Sequence, residues 1–247
     1  MISKAIKILV VLLLTTTLTV YAQSKYSNWE IGGGIAAMLY QGDLTTHRLG
    51  SIETVRPGFL VFVNYKLPNQ LKLQLAYNQG SLSGDDSRYN NPSYRRLRNY
   101  AFATPVKELS VKLVYNLLKY SSDDEVALYP YIAAGVNLGF YNITKNYSNL
   151  SPKLTDAQPS ILAGLAQDNS KTLPKRLLTI PLVVGVRKPI TERLDMFTEL
   201  NYRVVFTDYI DGFSKAANAK RQDKYYSLNL GVVYKFKQNN SLKCPNY

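Results

Sequence analysis

The stretch Leu71-Lys72-Leu73-Gln74-Leu75-Ala76-Tyr77-Asn78 decides how the rest of the chain is read. Its odd positions are apolar or aromatic and its even positions are polar or small. Side chains alternate faces along a strand, so a period of two describes a ribbon with one oily side and one polar side.

The same alternation recurs on both sides of this stretch. Leu109, Val111, Leu113, Tyr115 and Leu117 stand against Ser110, Lys112, Val114 and Asn116. Ile132, Ala134, Val136, Leu138 and Phe140 interleave with Ala133, Gly135, Asn137 and Gly139. Leu178, Ile180, Leu182, Val184 and Val186 oppose Thr179, Gly185 and Arg187. Thr198, Leu200, Tyr202, Val204 and Phe206 oppose Glu199, Asn201 and Arg203. Tyr226, Leu228, Leu230, Val232, Tyr234 and Phe236 oppose Ser227, Asn229, Gly231 and Lys235. Two earlier segments are less regular. The pattern predicts eight strands, near 28–40, 56–67, 71–82, 106–119, 128–142, 176–190, 194–207 and 224–237.

The connections between them alternate long and short, with 83–105 and 143–175 the longest and 68–70 and 191–193 the shortest. Outer-membrane barrels have an even number of strands, short periplasmic turns and longer outer loops. The short connections carry turn-forming residues, Pro68-Asn69-Gln70 and Thr191-Glu192-Arg193.

A soluble sandwich or lipocalin-like barrel also alternates, because one face packs a core. Such a fold turns its large apolar residues inward and its charges outward. Here the smaller face carries Gly32, Gly34, Gly135, Gly139, Gly185 and Gly231 together with charged residues. Aromatic residues also stand near strand ends: Tyr40, Tyr65, Tyr77, Tyr115, Tyr141, Tyr202, Phe206, Tyr234 and Phe236. Amphipathic rings suit the membrane–water boundary. The expected fold is therefore all-β, an eight-stranded antiparallel transmembrane β-barrel of outer-membrane type.

If the apolar face meets lipid, the polar face lines the lumen. That face carries Glu108, Lys112, Arg187, Glu199 and Arg203, with Glu30 and Lys235 near strand ends, in the lumen or at the rim. An eight-stranded interior is just wide enough for side chains to fill. The expectation is a plugged lumen crossed by ion pairs, with these residues in structural rather than catalytic roles.

The first residues read as an address. Lys4 and Lys7 precede an apolar stretch from Ile8 to Val20, and Val20-Tyr21-Ala22 offers small residues for cleavage. Residues 1–22 are thus expected to be a signal peptide. Residues 23–247 form one barrel domain, with a short periplasmic tail at 238–247.

Composition narrows the chemistry. The chain holds 30 Lys+Arg against 17 Asp+Glu, with one Cys and one His. One Cys excludes an internal disulfide or a Cys-based zinc centre, and one His excludes a site needing two imidazoles. No cofactor, metal or catalytic residue is expected. His47 lies close to Ser51 in sequence, but a Ser–His enzyme is recognised by geometry, not by spacing.

Three loop features remain. Asp85-Asp86 and Asp208 to Asp211 could hold a calcium ion or cap loops, and their spacing favours capping. Arg88, Arg95, Arg96 and Arg98 crowd one loop with Tyr89, Tyr94 and Tyr100. In an outer-membrane setting their partner would be an anionic lipid such as lipopolysaccharide or a solvated surface, not nucleic acid. Cys244, unpaired in an oxidising compartment, is a candidate partner contact.

Several short motifs occur in an order that resembles a known family. They include Trp29-Glu30-Ile31-Gly32-Gly33-Gly34, Tyr40-Gln41-Gly42-Asp43-Leu44, Arg56-Pro57-Gly58, and Gly80-Ser81-Leu82-Ser83-Gly84-Asp85-Asp86. Later come Arg98-Asn99, Glu108-Leu109-Ser110, Pro130-Tyr131-Ile132-Ala133-Ala134-Gly135, Ile180-Pro181-Leu182, Phe206-Thr207-Asp208-Tyr209-Ile210-Asp211 and Lys243-Cys244-Pro245. Together they resemble the PorG-like outer-membrane barrels of the type IX secretion system, from Trp29 to Pro245. The resemblance implies a non-enzymatic barrel that tethers a periplasmic ring to the outer membrane. Its implied partners are the ring's lipoprotein and that lipoprotein's companion subunit. The loop at 143–175 lies outside these motifs.

Overall fold

The computed structural model describes residues 28–45, 50–119, 128–217 and 223–236. The expected signal peptide, His47, the tail at 238–247 and Cys244 lie outside the described residues.

The strands are β1 (Trp29–Gln41), β2 (Arg56–Lys66), β3 (Leu71–Asp85), β4 (Ala101–Asn116), β5 (Tyr129–Tyr141), β6 (Thr144–Asn146), β7 (Arg176–Pro189), β8 (Leu194–Val204) and β9 (Lys224–Lys235). Along the sheet they run β3-β2-β1-β9-β8-β7-β5-β4, with β6 flanking β4, and a further β3–β4 pairing closes the circle. Every pairing is antiparallel, including the seam between β1 and β9, which runs from Glu30↔Lys235 to Gln41↔Lys224. Leaving out the short β6, the structure is a closed eight-stranded antiparallel barrel of the outer-membrane type.

The wall is oily on its outer side. Ile35, Leu75, Val111, Val136, Leu178, Val184, Leu200 and Leu228 are all exposed. Their chain neighbours Gln74, Ser110, Asn137, Thr179, Asn201 and Asn229 are buried inside. Burying polar groups while exposing aliphatic ones is favourable only if hydrocarbon replaces water outside.

The short turns form as their residues require. Asn69 and Gln70 both adopt positive φ, at 57° and 63°, between β2 and β3. At the β7–β8 turn the Thr191 hydroxyl accepts from the amides of Arg193 at 3.2 Å and Leu194 at 3.0 Å.

The strands depart from the expected bounds mainly at the long-loop end. β3 continues to Asp85 and β4 begins at Ala101, so the predicted loop 83–105 shortens to 86–100. Alternation persists through the β4 part of this extension, with Phe102 and Thr104 buried, whereas Leu82, Ser83 and Gly84 of β3 are buried in succession. The remaining long loops fold into three short helices, α1 (Tyr94–Arg98), α2 (Pro152–Ala157) and α3 (Ser160–Ser170).

Two aromatic assignments are corrected. Tyr40 and Tyr141 do not join an outer girdle; both are buried and face inward. Each shares strand parity with a lumen residue, Tyr40 with Glu30 and Tyr141 with Asn137, and that parity sets the face. Tyr115, Phe206, Tyr234 and Phe236 do face outward.

Both ends of the lumen are packed. At the long-loop end Met38, Tyr40, Leu82, Tyr100, Phe102, Tyr141, Ile210, Phe213 and Tyr225 form one buried apolar cluster. A second cluster, Leu60, Phe62, Ala76, Phe197 and Val233, fills the lumen elsewhere. Gly32 makes room for it, since a Cβ there would stand 2.3 Å from the Phe62 ring.

Candidate functional site

The lumen charges gather around several carboxylates. Near the short-turn end Glu30 is the hub. Arg187 Nη1 donates to it at 2.8 Å, Lys72 Nζ at 3.0 Å and Asn64 Nδ2 at 3.1 Å, with Lys66 Nζ at 3.5 Å. Beside it Lys235 Nζ donates to Asp195 at 2.6 Å. Glu30 and Lys235 are both buried, not solvated at the rim.

Closer to the long loops, Arg203 Nη2 donates to Glu108 at 2.8 Å. Glu108 also accepts from Tyr225 Oη at 2.6 Å and Asn137 Nδ2 at 2.9 Å. Arg203 Nη1 donates to Ser227 at 2.6 Å and to the Asn201 carbonyl at 2.9 Å. Between the groups, Glu199 accepts from Tyr131 Oη at 2.7 Å and Asn229 Nδ2 at 2.9 Å. Lys112 is buried among the charges of Glu199, Arg203 and Glu108. Glu108, Lys112, Arg187, Glu199 and Arg203 are all buried. The structure puts Arg187 with Glu30 and pairs Arg203 with Glu108. Such enclosed charges stand only where opposite charges and donors surround them.

Above the lumen the loops make a polar latch. The Tyr40 hydroxyl lies 2.6 Å from Asp211 Oδ2 and 2.6 Å from Asp223 Oδ1. A phenol has one proton to donate, so one of these carboxyls must be protonated and donate to the phenol. Burial raises both acids, and each lies close to other carboxylates. Asp223 is pushed up to about 8, and burial pushes the nearby Asp208 up to about 6. Asp223 Oδ2 accepts the Ile210 amide at 3.0 Å, and Asp211 Oδ1 accepts the Phe213 amide at 2.8 Å. Asp168 of α3 completes the latch by accepting the amides of Ser214, Lys215 and Ala216 at 3.1, 3.0 and 2.9 Å.

The arginine-rich loop divides in two. Arg95 and Arg98 are buried and Arg88 and Arg96 are exposed. Asp86 accepts from Arg95 Nη1 at 2.9 Å and from Arg98 Nε at 2.6 Å and Nη2 at 3.0 Å. Asp85 caps the turn after β3 by accepting the Ser87 amide at 2.9 Å. The carboxylates of this loop thus bind guanidinium and backbone amide. Ser51, the residue considered beside His47, hydrogen-bonds Glu53.

Sequence reasoning missed Glu30 as a hub, the Asp211–Tyr40–Asp223 latch and the interior ring cluster. The parity of Glu30 and Tyr40 within β1 was the available signal.

A family model described as "Domain of unknown function (DUF6089)" matches residues 4–240. A sequence comparison with curated proteins finds no match. Among solved structures, Neisserial surface protein A is similar at 14% identity and a TM-score of 0.49, over 86% of this chain and 100% of that one. OprG of Pseudomonas aeruginosa is similar at 12% identity and a TM-score of 0.47, over 87% and 98%. Ail, the attachment invasion locus protein of Yersinia pestis, is similar at 11% identity and a TM-score of 0.41, over 84% and 97%.

Proposed function

The chain belongs to the DUF6089 family, and from that premise we propose that it is a non-enzymatic, non-conducting barrel of the outer membrane that works as an anchor for other proteins. One observation carries this reading: the lumen is occupied along its length, by Glu30 with Arg187, by Phe62 with Phe197, by Glu108 with Arg203 and by the apolar cap. A barrel filled in this way offers its turns, loops and outer wall, rather than a channel, for work.

The finer reading is that the anchored assembly is the type IX secretion machinery. The ordered motifs from Trp29 to Pro245 that resemble PorG-like barrels support it. On this reading residues 1–22 are a cleaved signal peptide, and the barrel tethers the periplasmic ring lipoprotein and its companion subunit. The tail around Cys244 is a further candidate contact on the periplasmic side.

The test is gentle detergent extraction of tagged protein from native outer membranes, followed by mass spectrometry and by a secretion assay in a deletion strain. Recovery of the ring subunits with loss of cargo secretion is the expected result. Intact secretion and repeated absence of ring subunits would leave a general envelope-stabilising barrel of OmpA type instead.

A further inference from the structure

Two cations stand on the outer side of the wall, where alternation elsewhere places apolar residues. Lys107 of β4 lies opposite Phe140 of β5 in the ladder, and Phe140 lies opposite Arg176 of β7. All three are exposed. Glu108 and Gly139 beside them are buried, and Arg176 shares strand parity with the outward Leu178, so the row looks away from the lumen. With strands about 4.8 Å apart, the two cations spring from backbones about 10 Å from each other, with the Phe140 ring between them.

The row stands at the long-loop edge of the apolar band. On β7 the outward Leu178, Ile180, Leu182 and Val184 occupy the span between Arg176 and the exposed Lys188. At about 3.3 Å per residue and a tilt of about 40°, that span rises about 30 Å, the thickness of a bilayer's hydrocarbon. Arg176 is therefore level with the headgroups on the long-loop side. An unpaired cation on a barrel's outer wall is costly in mid-bilayer and costs little at this depth.

Neither cation has an anionic partner. Among the described residues Lys107 and Arg176 form no ion pair and no side-chain hydrogen bond. Arg176 lies over the Phe140 ring, 5.7 Å from its centroid, and its N–H donors remain open. The acids closest in the chain look elsewhere. Glu108 pairs with Arg203 in the lumen, and the buried Asp168 accepts the amides of Ser214, Lys215 and Ala216 in the cap. Lys175, next to Arg176, is exposed and adds positive charge. The loop arginines differ, since Asp86 and backbone carbonyls already occupy Arg95 and Arg98. One step toward the short turns, the outward residues are Leu109, Leu138 and Leu178, again in register. Cations above a row of leucines match an amphiphile with an anionic headgroup and acyl chains. At headgroup depth that anion is a phosphate, which arginine grips through its planar fork of donors. We propose that this patch holds one phosphorylated glycolipid of the outer leaflet, with Lys107 and Arg176 on its phosphate oxygens and its acyl chains along Leu109, Leu138 and Leu178. The inference needs the barrel in its outer membrane and does not rest on the anchoring role.

The test is native mass spectrometry of the full chain in detergent micelles, titrated with lipid A, with dephosphorylated lipid A and with the deacylated bisphosphorylated disaccharide. The expected result is one lipid A per chain. The double variant Lys107→Gln/Arg176→Gln should bind it at least about tenfold more weakly. Lys188→Gln/Arg193→Gln, which removes the same charge at the opposite rim, should stay within about twofold of the wild type. Both variants should keep the heat-modified gel mobility of the folded barrel, because neither cation of the patch holds a protein partner. Undiminished binding by the patch variant, an equal loss in the opposite-rim variant, or equal binding of dephosphorylated lipid A overturns the proposal. The deacylated disaccharide should bind at least about tenfold more weakly than lipid A, and equal binding would overturn a lipid as the occupant. None of these outcomes bears on recovery of the ring subunits.

Discussion

Glu108 on β4 and Arg203 on β8 meet at 2.8 Å across the lumen, although 95 positions separate them in the chain. Both are almost wholly enclosed, and each is supported by neutral donors or acceptors from other strands. The pair therefore ties opposite walls of the barrel together.

Removing one member leaves the other enclosed without a counter-charge. Arg203→Met should cost about 3–5 kcal/mol, because an uncompensated buried charge is far more costly than a missing pair. The double variant Glu108→Gln/Arg203→Met should recover a large part of that loss. Urea titration of the protein folded into lipid vesicles measures both, and a double variant no better than the single one would contradict the assignment.

The cap should respond to pH in the direction opposite to ordinary aspartates. Asp223 and Asp208 are raised from the usual 3.8 to about 8 and about 6 by burial, and Asp211 is raised by burial and by Asp223. A group raised in the folded state holds its proton more tightly there than when unfolded. Its stabilisation is complete below the unfolded value and is lost as pH rises through the folded value. The 205–217 loop should thus be best protected near pH 4 and loosen between about pH 6 and 8 and above. Hydrogen exchange of that loop across pH 5–9 reads this directly. Asp223→Asn, which cannot ionise, should flatten the profile.

Close approach at Gly32 gives a suppressor pair. Gly32→Ala would press a methyl group into the Phe62 ring and should destabilise the barrel by about 1–3 kcal/mol. Phe62→Leu in the same chain should relieve much of it. Thermal gel-shift of the refolded barrel compares the three proteins.

Charge on the outer wall tests which surface meets hydrocarbon. Val184 is 64% exposed midway along β7, and Ile52 is 85% exposed in the outer loop before β2. Val184→Arg should cost about 2–4 kcal/mol in lipid, whereas Ile52→Arg should be close to neutral. Equal effects in vesicle-based unfolding would mean that the two sites share one solvent.

The barrel was legible because period-two alternation survives in most of the long strands, clearest from Leu71 to Asn78. The inward Tyr40 and Tyr141 were misplaced because a general preference of aromatic rings for the membrane boundary was set above strand parity. β2 concealed the interior cluster. Phe59, Leu60, Val61 and Phe62 are apolar on both faces, so no alternation marks Leu60 and Phe62 as inward. Arg95 and Arg98 could not be told from Arg88 and Arg96 in sequence, since Asp86 sorts them only when 86–100 folds back on itself. The cap helices were missed because α1 and α2 are short and depend on packing, with Leu154 and Leu165 buried against neighbouring loops.

The seam between β1 and β9 closes the wall. β1 has its partner in β9, so the sheet keeps two unpaired edges until β9 is in place. Unpaired backbone is not tolerated in hydrocarbon. A polypeptide truncated before β9 would therefore be left with an unclosed wall and no stable place in the bilayer.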